Sequence, residues 1–186
     1  MKQILLLIAV VFVSFIATAQ QKVTDVDKST LDVSYFPANY PILKMNGKAK
    51  DLPVARVLYS RPLKTNRTIF GGIVKYGELW RLGANEATEF EVFKNVKVGG
   101  KAVPKGRYTL YCIPYENKWT IIINKDNFSW GSFTYNAKKD LLRVDIPVQA
   151  SEENAEALTM YFEEKGTGAN LVIMWDNVKA SLPITL

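Results

Sequence analysis

The residues best suited to chemistry are concentrated in one segment of the sequence, from Tyr59 to Thr88. Its charged and amide side chains are Arg61, Arg67, Glu78, Arg81, Asn85 and Glu86. They are interspersed with four glycines and with the aromatic residues Tyr59, Phe70, Tyr76 and Trp80. Core strands and ordinary surface loops rarely mix charge, aromatic bulk and glycine so densely. We therefore expect any functional site to lie in this segment.

The three arginines of the segment suggest an anionic ligand, because a guanidinium fork matches the geometry of a carboxylate or a phosphate. The alternative is that Arg61, Arg67 and Arg81 pair with Glu78 and Glu86. Three arginines against two glutamates leave one positive charge over, which weakly favours an anion or a further acid such as Asp140.

Glu78 and Glu86 are the acidic pair of the segment, and two carboxylates facing each other can hydrolyse a glycosidic bond. Their spacing of eight residues across a glycine-containing turn does not set the distance between them. The structural alternative is that they form ion pairs with the arginines, because partly buried charges need partners.

Aromatic side chains offer flat faces on which sugar rings can stack. The candidates are Trp80, Trp119, Trp130, Tyr76 and Tyr135. Core packing is the alternative, and we favour it for Trp119 and Trp175, which stand in apolar runs. Trp130 lies in a polar, glycine-containing stretch, which is typical of a binding residue on a loop. Asn85 is ambiguous, since asparagine also stabilises turns by bonding to its own backbone.

Several classes of function are disfavoured by composition. The chain has no histidine, so the Ser-His-Asp and Cys-His triads and the usual zinc and transition-metal sites are excluded. No Asp/Asn run has the spacing of a calcium loop, and we expect no metal and no cofactor. The single cysteine, Cys112, lies in an apolar run and is interpreted as a small buried hydrophobe. The modest positive charge is spread along the chain, which argues against nucleic-acid binding.

The N-terminus resembles a secretory signal. Lys2 precedes an apolar run from Ile4 to Ile16, and Ala17–Ala19 matches the small-x-small cleavage pattern. The run is too short for a comfortable transmembrane helix, which needs about 20 residues. We therefore expect residues 1–19 to be a signal peptide and the protein to be exported, either periplasmic or secreted. No transmembrane segment is expected after cleavage.

Residues 20–186 are expected to form one domain, with 20–30 as a loose lead-in. Roughly ten short apolar or alternating runs are separated by turn signals about every ten residues. This pattern predicts an all-β fold with little helix. We expect a single antiparallel β-sandwich, either jelly-roll or Ig-like, or else a flattened barrel. Residues 42–53 are interpreted as a short strand or loop, and single helical turns are expected within 73–82 and 151–157.

The sequence also resembles a known family in several blocks. They are YSRP, RTIFGG, YGE, WR-x-GANEAT, PKGRYTLYCIP, KWTIIIN, Trp130-Gly131 and VIMW. These blocks are similar to the exported bacterial proteins of domain-of-unknown-function family 2911, from about Tyr35 to the C-terminus. The resemblance implies an exported, mostly β domain. It implies no activity, substrate or catalytic residue.

Three functional hypotheses follow. The leading one is a non-catalytic exported domain that binds a small or anionic ligand, a glycan or an envelope partner. Its expected ligand-binding residues are Arg61, Arg67, Glu78, Trp80, Arg81, Asn85 and Glu86, together with Trp130. The first alternative is a histidine-free hydrolase that uses Glu78 and Glu86. The second is a structural or assembly protein of the envelope, in which the charged cluster only stabilises the fold.

Overall fold

A computed structural model describes residues 25–186, so the expected signal peptide lies outside the described residues. The strands are β1 (Leu31–Phe36), β2 (Ala55–Ser60), β3 (Glu89–Val92), β4 (Val96–Val98), β5 (Lys101–Val103), β6 (Gly106–Pro114), β7 (Lys118–Asn124), β8 (Asp140–Lys165) and β9 (Gly168–Thr185). A short helix, α1 (Tyr40–Met45), and a 3-10 turn (Ala137–Lys139) complete the elements.

All nine strands belong to one antiparallel sheet in the order β1-β2-β3-β6-β7-β8-β9-β4-β5. Strands and isolated bridges account for 54% of residues 25–186 and helix for 6%. The predicted all-β antiparallel fold with little helix is confirmed. Over the described residues the sheet is not closed, so it is not a barrel.

Strand β8 carries the sheet from one half of the molecule to the other. It pairs with β7 along Asp140–Pro147 and with β9 along Val148–Lys165. Its register with β9 shifts on either side of Ala155, and such irregularities bend a strand. The later part of β8 contacts β1 and β2, although neither is its neighbour in the sheet. The sheet therefore folds over so that its two halves share a core.

The core is built from the inward faces of both halves. Its largest fully buried side chains include Trp119 on β7, Trp175 on β9 and Tyr59 on β2. Each large apolar side chain that is removed from water contributes about 1.5–3 kcal/mol. The Tyr59 hydroxyl also donates to the Met160 carbonyl at 3.1 Å and accepts from the Met160 amide at 2.8 Å, which joins β2 to β8.

Three local expectations are corrected by the structure. Residues 40–45 form α1, where a strand or loop was expected over 42–53, because Pro41 occupies the start of a helix. Residues 151–157 belong to β8, because pairing with β9 on both sides of them and at Ala155 overrides their helix-forming composition. Residues 73–82 form turns and isolated bridges, with no helical turn.

Candidate functional site

The segment that follows Trp80 has a fixed backbone. Trp80 exchanges backbone hydrogen bonds with Cys112 on β6, at 2.7 and 2.8 Å. Leu82 then adopts a left-handed conformation, with φ of 57°, which is uncommon for a bulky residue. The buried Thr88 hydroxyl donates to the Leu82 carbonyl at 2.7 Å, and the Thr88 amide donates to the Arg81 carbonyl at 3.1 Å. These bonds fix the backbone from which the Arg81 side chain projects.

Trp80 belongs to an aromatic cluster in the core. Its ring stacks on Trp175 with centroids 6.0 Å apart and meets Trp119 and Phe70 edge to face, each at 6.1 Å. Its indole N–H donates to the Gly83 carbonyl at 3.2 Å. Such aromatic pairs contribute about 0.5–1.5 kcal/mol each beyond the area they bury. Trp80 is therefore a rigid residue, and Trp119 and Trp175 are core residues as predicted.

A cavity of about 290 Å³ lies beside this cluster. The residues that line it are Ser29, Pro62, Arg67, Ile73, Val74, Trp80, Arg81, Gly83, Ala84 and Trp175. The lining thus combines two guanidinium groups with an apolar wall that contains two indoles. Among the described residues no carboxylate lines this cavity.

Arg81 is half-buried and lacks a partner for part of its guanidinium group. Its Nε–H is buried and has no hydrogen-bond acceptor within the described part of the chain. It also forms no ion pair with any of residues 25–186. Burial lowers the pKa of Arg81 from its ordinary value, but an arginine remains protonated in proteins. The cavity therefore contains an uncompensated positive charge.

Arg67 adds a second cation, held by the backbone. Its Nε–H donates to the Lys64 carbonyl at 3.0 Å, and one terminal nitrogen donates to the Leu63 carbonyl. Arg67 also lines an adjacent cavity of about 450 Å³, whose other lining residues are Lys28, Ser29, Leu63 and Thr65. The two cavities share Ser29 and Arg67 and carry three cationic side chains in total.

Arg61 has a structural position instead. Its guanidinium group donates to Asp32 at 3.1 Å, to the Leu158 carbonyl at 3.1 Å and to the Thr159 hydroxyl at 3.0 Å. It connects β2 to β1 and β8 and does not line the cavity. The expected pairing of Arg61 with Glu78 or Glu86 is wrong, because strand pairing brings Asp32 beside it.

Glu78 and Glu86 lie outside the cavity. Glu78 is exposed on a turn and forms a loose ion pair with Lys75 at 3.8 Å. Glu86 is exposed, and its backbone forms an isolated bridge with Trp130. Within residues 25–186 neither glutamate pairs with Arg67 or Arg81, so the alternative of a Glu–Arg cluster is wrong. The hydrolase hypothesis gains no support from these positions.

Asn85 and Trp130 belong to a neighbouring surface. Asn85 has a φ of 56°, its carbonyl accepts from the Gly131 amide at 2.9 Å, and its side chain donates to Asp27 at 3.1 Å. The positive φ agrees with the structural alternative given for it, but the side chain bonds Asp27 and not its own turn. Trp130 is 60% exposed and does not line the cavity.

Of the eight residues predicted for the site, the cavity brings together Arg67, Trp80 and Arg81. Sequence reasoning missed the other seven lining residues, which are Ser29, Pro62, Ile73, Val74, Gly83, Ala84 and Trp175. Several of these lie inside the segment Tyr59–Thr88. There the small residues Gly83 and Ala84, close to Arg81, were the signal that could have indicated a cavity. Ser29 and Trp175 are distant in sequence and reach the site only through the fold.

Among residues 25–186 no group of three or more histidine, cysteine, aspartate or glutamate side chains is placed to hold a metal ion. None of the helices in that range has the length and apolar character needed to cross a membrane.

Fold and site define an all-β protein whose cavity is lined by arginine and tryptophan. The family described as "Protein of unknown function (DUF2911)" has a sequence model that matches residues 43–184. The chain therefore belongs to this family, and the resemblance noted from its sequence blocks is confirmed. No curated protein and no solved structure matches the chain.

Proposed function

We propose that this protein is a non-catalytic binding domain for a small organic anion. The observation that carries the proposal is the buried Nε–H of Arg81, which has no partner among the described residues and belongs to a side chain that lines a cavity. A buried donor without a partner costs about 1–3 kcal/mol, and more when it is charged. An anion in the cavity would balance the charge of the guanidinium group that carries this donor.

The class of ligand follows from the two kinds of side chain that line the cavity, which are cationic and apolar. Arg81 and Arg67 suit a carboxylate or phosphate group, and hydrogen bonds to a charged group contribute about 1.5–3 kcal/mol. Ile73, Val74 and the edges of the indoles suit a small apolar or aromatic body. The volume lies near the lower end of the range of about 300–1,000 Å³ for ligand sites. The favoured ligand is therefore a small carboxylate or phosphate ester.

Two features support binding without catalysis. The lining provides one hydroxyl, from Ser29, and no carboxylate of the described chain that could serve as a general base. The two glutamates that the hydrolase alternative requires lie outside the cavity. The N-terminal sequence pattern supports export, so the ligand would be met in the periplasm or outside the cell.

The test is a thermal-shift titration of residues 20–186 with benzoate, phenyl phosphate and inorganic phosphate. Benzyl alcohol serves as the neutral control for benzoate. At ten times the Kd, a bound anion raises the Tm by about 3–5 °C. The Arg81→Gln variant should lose this response and keep its own Tm.

Arg56→Gln is the matched control, since Arg56 pairs with Glu91 at 2.7 Å away from the cavity. It should keep the full response to the anions. Equal responses from benzoate and benzyl alcohol would contradict the proposal, as would a wild-type protein that none of the three anions stabilises.

A further inference from the structure

The connection between β7 and β8 presents three aromatic side chains to solvent. Phe128 is 78% exposed, Trp130 is 60% exposed and Phe133 is 86% exposed. Single exposed apolar side chains are ordinary, but a cluster of large ones marks an interaction surface. Three within six residues, none of which lines the anion cavity, call for a separate explanation.

This aromatic loop, residues 126–136, is held in place by the scaffold. The Ser129 carbonyl accepts from the Ala87 amide at 2.9 Å, and the Gly131 amide donates to the Asn85 carbonyl at 2.9 Å. At the start of the loop, the Asp126 carbonyl accepts from the Thr109 hydroxyl at 2.6 Å. The exposed rings are therefore presented on a fixed backbone, which reduces the entropy lost when a ligand binds.

The backbone conformation within the loop also indicates that the loop is fixed. Phe128 has a φ of 60°, an unfavourable conformation for a bulky residue that its surroundings must maintain. Gly131 has a φ of 64°, and a Cβ atom there would lie 2.7 Å from the Phe133 ring. Glycine thus lets the Phe133 ring lie against the backbone next to Trp130. The Arg107 guanidinium lies 5.4 Å from the centre of the Phe128 ring.

The composition of the loop indicates which class of ligand it is suited to bind. Residues 126–136 contain no lysine, no arginine and no aliphatic side chain, although Lys125, Lys138 and Lys139 flank them and Lys139 pairs with Asp126 at 2.8 Å. Nucleic acids require clustered cations, and segments that bind membrane surfaces combine aromatic or leucine residues with basic residues on the same segment, whereas here the lysines lie outside the part that bears the rings. The loop instead carries amides and hydroxyls before, between and after its exposed rings, namely Asn127, Ser132, Thr134 and Asn136.

We propose that the aromatic loop is a platform for a neutral glycan. The flat apolar faces of pyranose rings match exposed aromatic faces, and sugar hydroxyls match the neighbouring amides and hydroxyls. This site is separate from the anion cavity and does not rest on the function proposed for it. Loss of anion binding in Arg81→Gln should leave glycan binding intact.

Trp130 provides a specific optical signal for the test. The chain has four tryptophans, and the other three, Trp80, Trp119 and Trp175, are buried. The part of the fluorescence that acrylamide can quench therefore reports on Trp130. The probes are cellohexaose, maltohexaose and chitohexaose, titrated to about 10 mM. We expect at least one of them to shift the emission to the blue and to protect Trp130 from acrylamide.

Affinity electrophoresis of variants, in gels that contain the matching polysaccharide, shows which residues bind the glycan. Trp130→Ala should weaken binding by about tenfold, and Trp130→Phe should restore part of it. Tyr115→Ala is the control, because Tyr115 is an exposed aromatic outside the loop. It should bind like the wild type.

Two results would overturn the assignment. One is the absence of any change with all three oligosaccharides. The other is protection of Trp130 by vesicles of phosphatidylglycerol and phosphatidylethanolamine but by no sugar, which would identify a membrane surface instead.

Discussion

Arg61 donates three hydrogen bonds to β1 and β8, whereas Arg81, twenty residues later, keeps a buried N–H without a partner among the described residues. Both arginines lie in the same aromatic-rich segment and look equivalent in the sequence. The difference is that strand pairing supplies Asp32 to Arg61, while the turns around Arg81 supply indoles and a cavity. Whether the guanidinium group has hydrogen-bond acceptors within the protein therefore distinguishes a structural arginine from a candidate binding arginine.

Loss of the Arg61 bonds should have the largest effect. Arg61→Gln is expected to reduce the free energy of unfolding by about 2–3 kcal/mol, because three donors are lost and Asp32 loses its partner. Urea denaturation measures this change. Partial exposure of both side chains keeps the value below that of a fully buried pair. A loss below about 0.5 kcal/mol would show that Arg61 does not stabilise the fold.

Titration of Tyr59 should produce the next largest effect. Burial raises the pKa of Tyr59 from 10.0 to about 12, and the hydroxyl connects β2 to Met160. Since the raised pKa favours the neutral folded form, its contribution is complete below pH 10 and is lost as the pH rises toward 12. The loss amounts to about 2 kcal/mol.

Chemical denaturation at a series of pH values measures that loss. Between pH 10 and 12, the free energy of unfolding of Tyr59→Phe should fall less steeply than that of the wild type. Tyr135→Phe is the comparison, because burial also raises the pKa of Tyr135 to about 12. An unchanged slope in Tyr59→Phe would contradict the role given to its hydroxyl.

Arg81 should show the smallest effect on stability. Arg81→Gln is expected to change the free energy of unfolding by less than about 0.5 kcal/mol or to increase it, because it removes a partly buried, uncompensated charge. The same urea experiment compares it directly with Arg61→Gln. A loss similar to that of Arg61→Gln would show that Arg81 also stabilises the fold and would remove the contrast between the two.

The all-β architecture could be predicted because alternation and turn residues are local signals. The run KWTIIIN coincides with β7, and the run VARVLYS contains the whole of β2 together with Val54. The continuity of β8 could not be predicted, since Ser151–Ala157 is rich in helix formers and becomes a strand only through pairing with β9. Helix α1 was missed because residues 42–53 were interpreted as a short strand or loop, although Pro41 favours the start of a helix.

The site could be predicted in part for a similar reason. Arg67, Trp80 and Arg81 were found because they stand in one dense segment. The partner of Arg61 was missed because strand register, which places Asp32 opposite Tyr59, is a long-range property. Trp175 reaches the cavity through the core packing of β9, which no local pattern reports.

NMR of the arginine Nε–H groups tests the central claim most directly, because it observes both arginines in one sample. The Arg81 signal is assigned by its loss in Arg81→Lys, and the Arg61 signal by its loss in Arg61→Lys. On titration with benzoate, the Arg81 Nε–H signal should shift as the anion pairs with its guanidinium group, and the Arg61 Nε–H, already bonded to Leu158, should stay in place. An Arg81 signal that does not move at saturating benzoate, or an Arg61 signal that moves equally, would contradict the account.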